Sequence, residues 1–190
     1  MNPARHLVLV GPMGAGKTSV GRCLARHFEL AFVDSDQEIE RRTGASVATI
    51  FECEGEAGFR ARERDVLAVL LAGPDAVIST GGGAVLDAGN RRNLAGGGFV
   101  VHLHADVPAQ LQRLVRDRSR PLLARGDRAS ILARLAAGRD PLYAEVADLV
   151  FEPAPAPAAD AAQRLAALLE STWRRGTMAA SSQATPEPAA

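Results

Sequence analysis

Lys17 is the only lysine in the chain, and it stands in GPMGAGKT, residues 11–18; every other strongly basic side chain is an arginine. The spacing GxxxxGKT is the one that polyphosphate binding requires. Glycines let a loop curl until backbone N–H groups converge on phosphate oxygens. A helix that starts at the lysine turns its positive N-terminal end toward the same anion. A lysine ammonium is a compact point charge on a flexible stem, able to follow the β- and γ-phosphates. The broad planar fork of arginine suits that task poorly. Thr18 adds a hydroxyl fit for Mg²⁺. A Rossmann-type loop fits less well, because Ser19 stands where its third glycine belongs.

Two further groups of residues carry chemistry. Asp34 and Asp36 flank Ser35 after a short apolar run. In an extended chain both carboxylates point to one side. There they can hold Mg²⁺ through water or accept a proton from a hydroxyl. They are equally good caps for a helix starting near Gln37, and that alternative stays open. Ser79 is followed by Thr80-Gly81-Gly82-Gly83. Many phosphate-loop proteins carry an acid at this point, and this chain has none. Three glycines in a row allow close approach to the backbone, so the segment reads as a binding loop, with a flexible connector as the alternative. Arg60 in GEAGFRARER, Arg120 in RDRSRPLL and Arg139 in GRDPLY stand out among the arginines. Arg120 falls in an expected loop, where a cation can close over phosphates. Arg139 falls at an expected helix break, while Arg62 and Arg64 read as solvated helix charges.

The elements that must position these residues are legible in outline. Residues 6–10, 31–33, 76–79, 99–103 and 148–151 read as strands. Helical spacing marks 17–28, 46–51, 55–71, 88–94, 108–116 and 160–174, and also 127–147, with a break near 138–141. Strands alternating with helices imply an α/β fold, a parallel sheet covered on both faces. Ligands on such sheets lie beyond the carboxyl ends of the strands, which is where the candidate residues fall. The chain is 190 residues long, 47% apolar and of zero formal net charge, consistent with one domain and with no overall footprint for nucleic acid. Cys23 and Cys53 lack metal-ligand spacing and read as free thiols. No apolar run approaches a membrane span or a signal peptide, so the expected location is the cytoplasm. Residues 176–190 are small and polar, an expected disordered tail.

The segments GPMGAGKTSVG, FVDSD, SVATIFECEGEAGFRARE, VISTGGGAV, RPLL and RDPLY, in this order, resemble the shikimate kinase family. The resemblance runs from about residue 6 to about residue 174. It implies a three-layer P-loop kinase fold with a parallel five-stranded sheet. It also implies a single domain over 1–175, with a substrate-binding insertion at about 34–64 and a lid at about 116–127. The implied reaction transfers a phosphoryl group from ATP to the 3-hydroxyl of shikimate, a step of aromatic amino-acid biosynthesis. Gly14, Ala15, Gly16, Lys17, Thr18 and Ser19 would hold the phosphates, with Thr18 and Asp34 toward Mg²⁺. Asp36 would bind the shikimate hydroxyls and accept the proton. Arg60 and Arg139 would pair with the carboxylate, and the backbone of Gly81 and Gly82 would touch the ring. Arg120 would stabilise the transferring group together with Lys17, and Arg113 would touch the nucleotide base. The resemblance implies small-molecule partners only, and a monomer.

Two rivals differ in class. A gluconate or nucleotide kinase of the same fold shares the phosphate loop, and only the full motif set favours shikimate. A GTPase-type switch would need an NKxD motif, which a chain whose one lysine is Lys17 does not contain.

Overall fold

All five side chains of HLVLV, residues 6–10, are buried, as expected of a strand covered on both faces. The computed structural model describes residues 3–115, 127–154 and 156–175. Along the chain lie β1 (Pro3–Ala4), β2 (His6–Val10), α1 (Lys17–His27), β3 (Ala31–Asp34), α2 (Ser35–Thr43), α3 (Val47–Ala72) and β4 (Ala76–Ser79). They are followed by α4 (Ala88–Gly97), β5 (Gly98–Leu103), α5 (Val107–Leu114), α6 (Arg128–Val146), β6 (Leu149–Phe151), α7 (Ala158–Thr172) and β7 (Arg174–Arg175).

Five strands form one parallel sheet in the order β3-β4-β2-β5-β6. Its register aligns the strand ends: Ser79 pairs with both Leu9 and Asp34, and Val10 pairs with His102. The segments after β2, β3, β4 and β5 therefore emerge at one level, along one edge of the sheet. Side chains alternate between its faces. Leu7, Leu9, Val77, Val101 and Leu103 pack with Val20 and Leu24 of α1 and Leu165 and Leu169 of α7. Val8, Val10, Ile78 and Val100 pack with Leu67, Leu94, Tyr143 and Val146 from α3, α4 and α6. This is the expected three-layer α/β architecture.

A smaller cluster of Ile39, Ile50, Phe59 and Val66 holds α2 against α3. Within α3, Gly55 adopts φ 69° and ψ −175°, so the run is two helices meeting at a kink, close to the expected pair. The expected break near 138–141 is absent. α6 runs through Pro141 unbroken, and Arg139, Tyr143 and Val146 share one buried face. Proline removes one helical hydrogen bond, but packing of that face holds the helix together. The sequence reading also missed the pairing of β1 with β7, which brings Pro3 opposite Arg174. Beside it, the Trp173 indole donates to the carbonyl of Ala4 at 2.8 Å. Among the described residues no helix is long and apolar enough to cross a membrane. Residues 116–126 of the expected lid, and the expected tail at 176–190, lie outside the described residues.

Candidate active site

The loop after β2 is shaped by glycine backbone. Gly14 and Gly16 take φ of 77° and 94°, a region that L side chains rarely enter. Gly16 caps α1 without a side-chain hydrogen bond, and the first turn holds no acid. The leading amides and the positive end of the helix dipole therefore remain available to an anion. Lys17, only 9% exposed, donates from Nζ to the carbonyls of Gly11 and Pro12 at 2.8 and 2.9 Å. Its ammonium is thus folded over the loop it belongs to. Ala15 is buried beneath the loop, and Ser19 is exposed on the first turn of α1.

Asp34 ends β3 and does two jobs. Its Oδ2 accepts from the Thr18 hydroxyl at 2.9 Å. Its Oδ1 caps α2 by accepting from the amides of Asp36 and Gln37 at 3.1 and 3.4 Å. The sequence reading of an extended Asp34-Ser35-Asp36 needs correction, because the chain turns helical at Ser35. The helix turn carries Asp36 toward the glycine loop. A methyl group on Gly81 would lie 2.7 Å from Asp36 Oδ1 and 2.9 Å from Glu63 Oε1. Ser35, fully buried, accepts from the Gly81 amide at 3.2 Å and ties the two segments together.

Arg60 and Arg139 approach that loop from two different helices. Arg60 donates from Nη1 to Glu63 at 2.7 Å and from Nη2 to Glu56 at 3.1 Å, and its guanidinium lies against Gly83. It also lies over the Phe59 ring, 5.2 Å from the centroid. Arg139, 7% exposed, donates from Nη1 to the Gly82 carbonyl at 3.3 Å. The Tyr143 hydroxyl donates to the same carbonyl. Gly82 in turn packs on the phosphate loop: a methyl there would lie 3.5 Å from Gly11 O and Met13 N. On the other side, Arg113 of α5 donates to the Gly14 carbonyl at 3.0 Å and reaches the Pro153 carbonyl at 3.4 Å. Arg120 lies outside the described residues.

Glu63 and Tyr143 were not singled out in the sequence. Glu63 has no exposed surface, and burial pushes its carboxyl up to about 7, with Arg60 opposing that shift and Asp36 reinforcing it. It sits three residues after Arg60, a helical pairing that was there to be read. Tyr143 sits four residues after Arg139, and the expected helix break hid that shared face. Beside the phosphate loop, burial and the nearby His104 and Lys17 hold His102 down near 4.

Among the described residues no three His, Cys, Asp or Glu side chains cluster as a metal centre. The donor set at the Thr18–Asp34 contact is one hydroxyl and one carboxylate. These are hard oxygens that suit a cation such as Mg²⁺ completing its shell with phosphates and water. The assembled edge therefore offers a phosphate cradle, a place for such a cation, the half-buried Asp36 beside the buried Glu63 at a glycine loop, and two arginines converging on that loop. It can bind a polyphosphate and present to it a hydroxylated anion.

Known proteins agree with this arrangement. The family model described as shikimate kinase matches residues 13–170. A shikimate kinase of Stenotrophomonas maltophilia (strain K279a) is 57% identical over 175 residues, covering 92% of this chain and 97% of that one. The solved structure of a shikimate kinase from Acinetobacter baumannii in complex with shikimate superimposes with a TM-score of 0.86. It is 49% identical, with 88% of this chain and 94% of that chain covered. A gluconokinase from Sinorhizobium meliloti, at 19% identity and a TM-score of 0.54, shares the fold alone. With the motifs, the sheet, a family model over residues 13–170 and a relative 57% identical in agreement, the chain belongs to the shikimate kinase family.

Proposed function

We propose that the protein transfers the γ-phosphoryl group of ATP to the 3-hydroxyl of shikimate, giving shikimate 3-phosphate and ADP. The observation that carries this reading is the convergence on one three-glycine loop: Asp36 at Gly81, Arg139 at Gly82 and Arg60 at Gly83, all beside the phosphate loop. A carboxylate and two guanidiniums converging on one loop suit a substrate bearing hydroxyls and one carboxylate. Asp36 accepts the hydroxyl proton, and Arg60 and Arg139 hold the carboxylate in forked hydrogen bonds. The backbone of Gly81 and Gly82 lines the ring.

On the donor side the phosphates lie along Gly14, Ala15, Gly16, Lys17, Thr18 and Ser19. Lys17 leaves its carbonyl partners to follow the transferring group, and Arg113 lies against the base. Thr18 and Asp34 would hold Mg²⁺, which would supply positive charge to the polyphosphate. Arg120, outside the described residues, would add positive charge at the transferring group, and exclusion of water would remove the competing acceptor. Catalysis of this kind rests on positioning and charge, which the site supplies without a covalent step. Every group named comes from one chain, so the proposed reaction calls for no residue of a second copy. The free thiols Cys23 and Cys53 suit the reducing cytoplasm.

The test is ADP release from ATP and Mg²⁺ with shikimate, gluconate or no acceptor, and mass spectrometry of the product. A monophosphorylated product from shikimate alone is expected. Turnover with gluconate and not shikimate would keep the phosphate loop and overturn the acceptor reading.

A further inference from the structure

The three glycines of the acceptor loop offer three carbonyls and three amides; all three carbonyls and one amide are engaged. The Gly81 carbonyl accepts from the Ala84 amide at 3.1 Å, and the Gly83 carbonyl from the Leu86 amide at 3.0 Å. The Gly81 amide donates to Ser35 Oγ at 3.2 Å. The Gly82 carbonyl takes both the Tyr143 hydroxyl and Arg139 Nη1. Among the described residues, the amides of Gly82 and Gly83 are left without an acceptor.

The Gly82 carbonyl and the Gly83 amide belong to one trans peptide and point in opposite directions. Fixing the carbonyl fixes the amide. That amide adjoins the Gly83 α-carbon, which lies against the Arg60 guanidinium. It is thereby held beside the expected carboxylate partner.

Of the two donors that fix the carbonyl, Arg139 has another task. A guanidinium that turns toward an anion lets go of the carbonyl, and only Tyr143 then holds it. The tyrosine is built for this. It is 1% exposed, and its ring lies 4.9 Å from that of His102, tilted by 30°. Burial pushes its hydroxyl up to about 12, so it keeps the donated proton at neutral pH.

We propose that Tyr143 is a positioning residue for acceptor recognition. Its hydroxyl pins the Gly82 carbonyl so that the Gly83 amide faces the acceptor's carboxylate, and so that Arg139 is free to turn to that anion. The inference rests on the proposed reaction with shikimate.

Tyr143→Phe removes the hydroxyl and keeps the ring. The expected result is a KM for shikimate raised about tenfold, with kcat and the KM for ATP within about twofold of the wild type. With shikimate methyl ester, which lacks the charged carboxylate, the penalty of the substitution should shrink toward unity. An unchanged KM for shikimate, equal rises for shikimate and ATP, or the same penalty on acid and ester would each overturn the proposal. If wild-type protein fails to phosphorylate shikimate, the acceptor reading itself has failed, and this inference falls with it. If Tyr143→Phe does not fold, 3-fluorotyrosine can replace Tyr143 alone, because the chain has a single tyrosine. Its ¹⁹F resonance should move on adding shikimate, and a resonance that stays put would overturn the proposal.

Discussion

Gly83→Ala tests the carboxylate role of Arg60 without touching the arginine. Gly83 has φ −105° and ψ 0°, which alanine adopts without strain. The added methyl, however, overlaps Arg60 Nη2 and lies 2.6 and 2.7 Å from Cζ and Nη1. Ordinary contact needs about 3.5 Å, so the guanidinium must withdraw by about 1 Å. Glu63 and Glu56, on the same helix as Arg60, offer it ion pairs that keep it from returning to the loop. A carboxylate that loses its charged hydrogen bonds to Arg60 loses about 1.5–3 kcal/mol, a factor of about 10–150 in affinity. Because the carboxylate does not react, the loss applies equally to bound substrate and transition state. The KM for shikimate should rise by that factor with kcat nearly constant. The assay varies shikimate at saturating ATP and then ATP at saturating shikimate, with a melting curve to show that the fold survives. A KM for shikimate within twofold of wild type in a folded variant would refute the placement of the carboxylate at Arg60.

Two other substitutions test separate parts of the site. Glu63 carries a carboxyl raised from 4.5 to about 7 by burial, so between those pH values the folded form keeps a proton that the unfolded chain has released. Stability therefore falls by about 3 kcal/mol as pH rises through that window and is level above it. Melting temperatures of Glu63→Gln from pH 5 to 8 should lose this slope, and an unchanged slope would assign it to another group. Lys17→Ala should lower kcat by about 10²–10³-fold, since it removes a charge aimed at the transferring group. Circular dichroism should match the wild type, and near-normal turnover would remove the lysine from the chemistry.

The phosphate loop was legible because its requirements are local: glycines where the backbone turns left-handed, a lysine and a threonine at fixed spacing, a strand before and a helix after. The sheet was legible for a similar reason, since strands buried on both faces read as unbroken apolar runs. The acid pair was only half legible. Its residues stand out by type and spacing, but the alternation of an extended chain does not hold across a strand-to-helix junction, where Asp34 caps and Asp36 turns inward. Pro141 misled because a local helix breaker was weighed without the burial of Arg139, Tyr143 and Val146 on one face. Glu63 and Tyr143 gain their significance from what they touch across the fold. The contact of Ser35 with Gly81, distant from it in sequence, forms only once β3 and β4 are neighbours. The grouping of Arg60 and Arg139 came from family resemblance, and the structure brings both to the glycine loop.

The hydrogen bond from Trp173 to Ala4 joins residues 169 positions apart. Closing a free loop of that length costs about 4–5 kcal/mol in chain entropy, which offsets nearly all that one indole and one hydrogen bond return. The seam therefore closes only after the sheet has drawn both segments together, which makes it a late event in folding and an early one in unfolding. Trp173 is also the chain's single tryptophan, packed edge-on against Phe28 with ring centroids 5.4 Å apart. Its fluorescence, the ordinary optical probe of unfolding, consequently watches this seam and not the phosphate loop. A denaturation curve followed by emission will precede one followed by helical ellipticity wherever the seam opens first. Coincidence of the two curves would mean that the seam and the sheet behave as one cooperative unit.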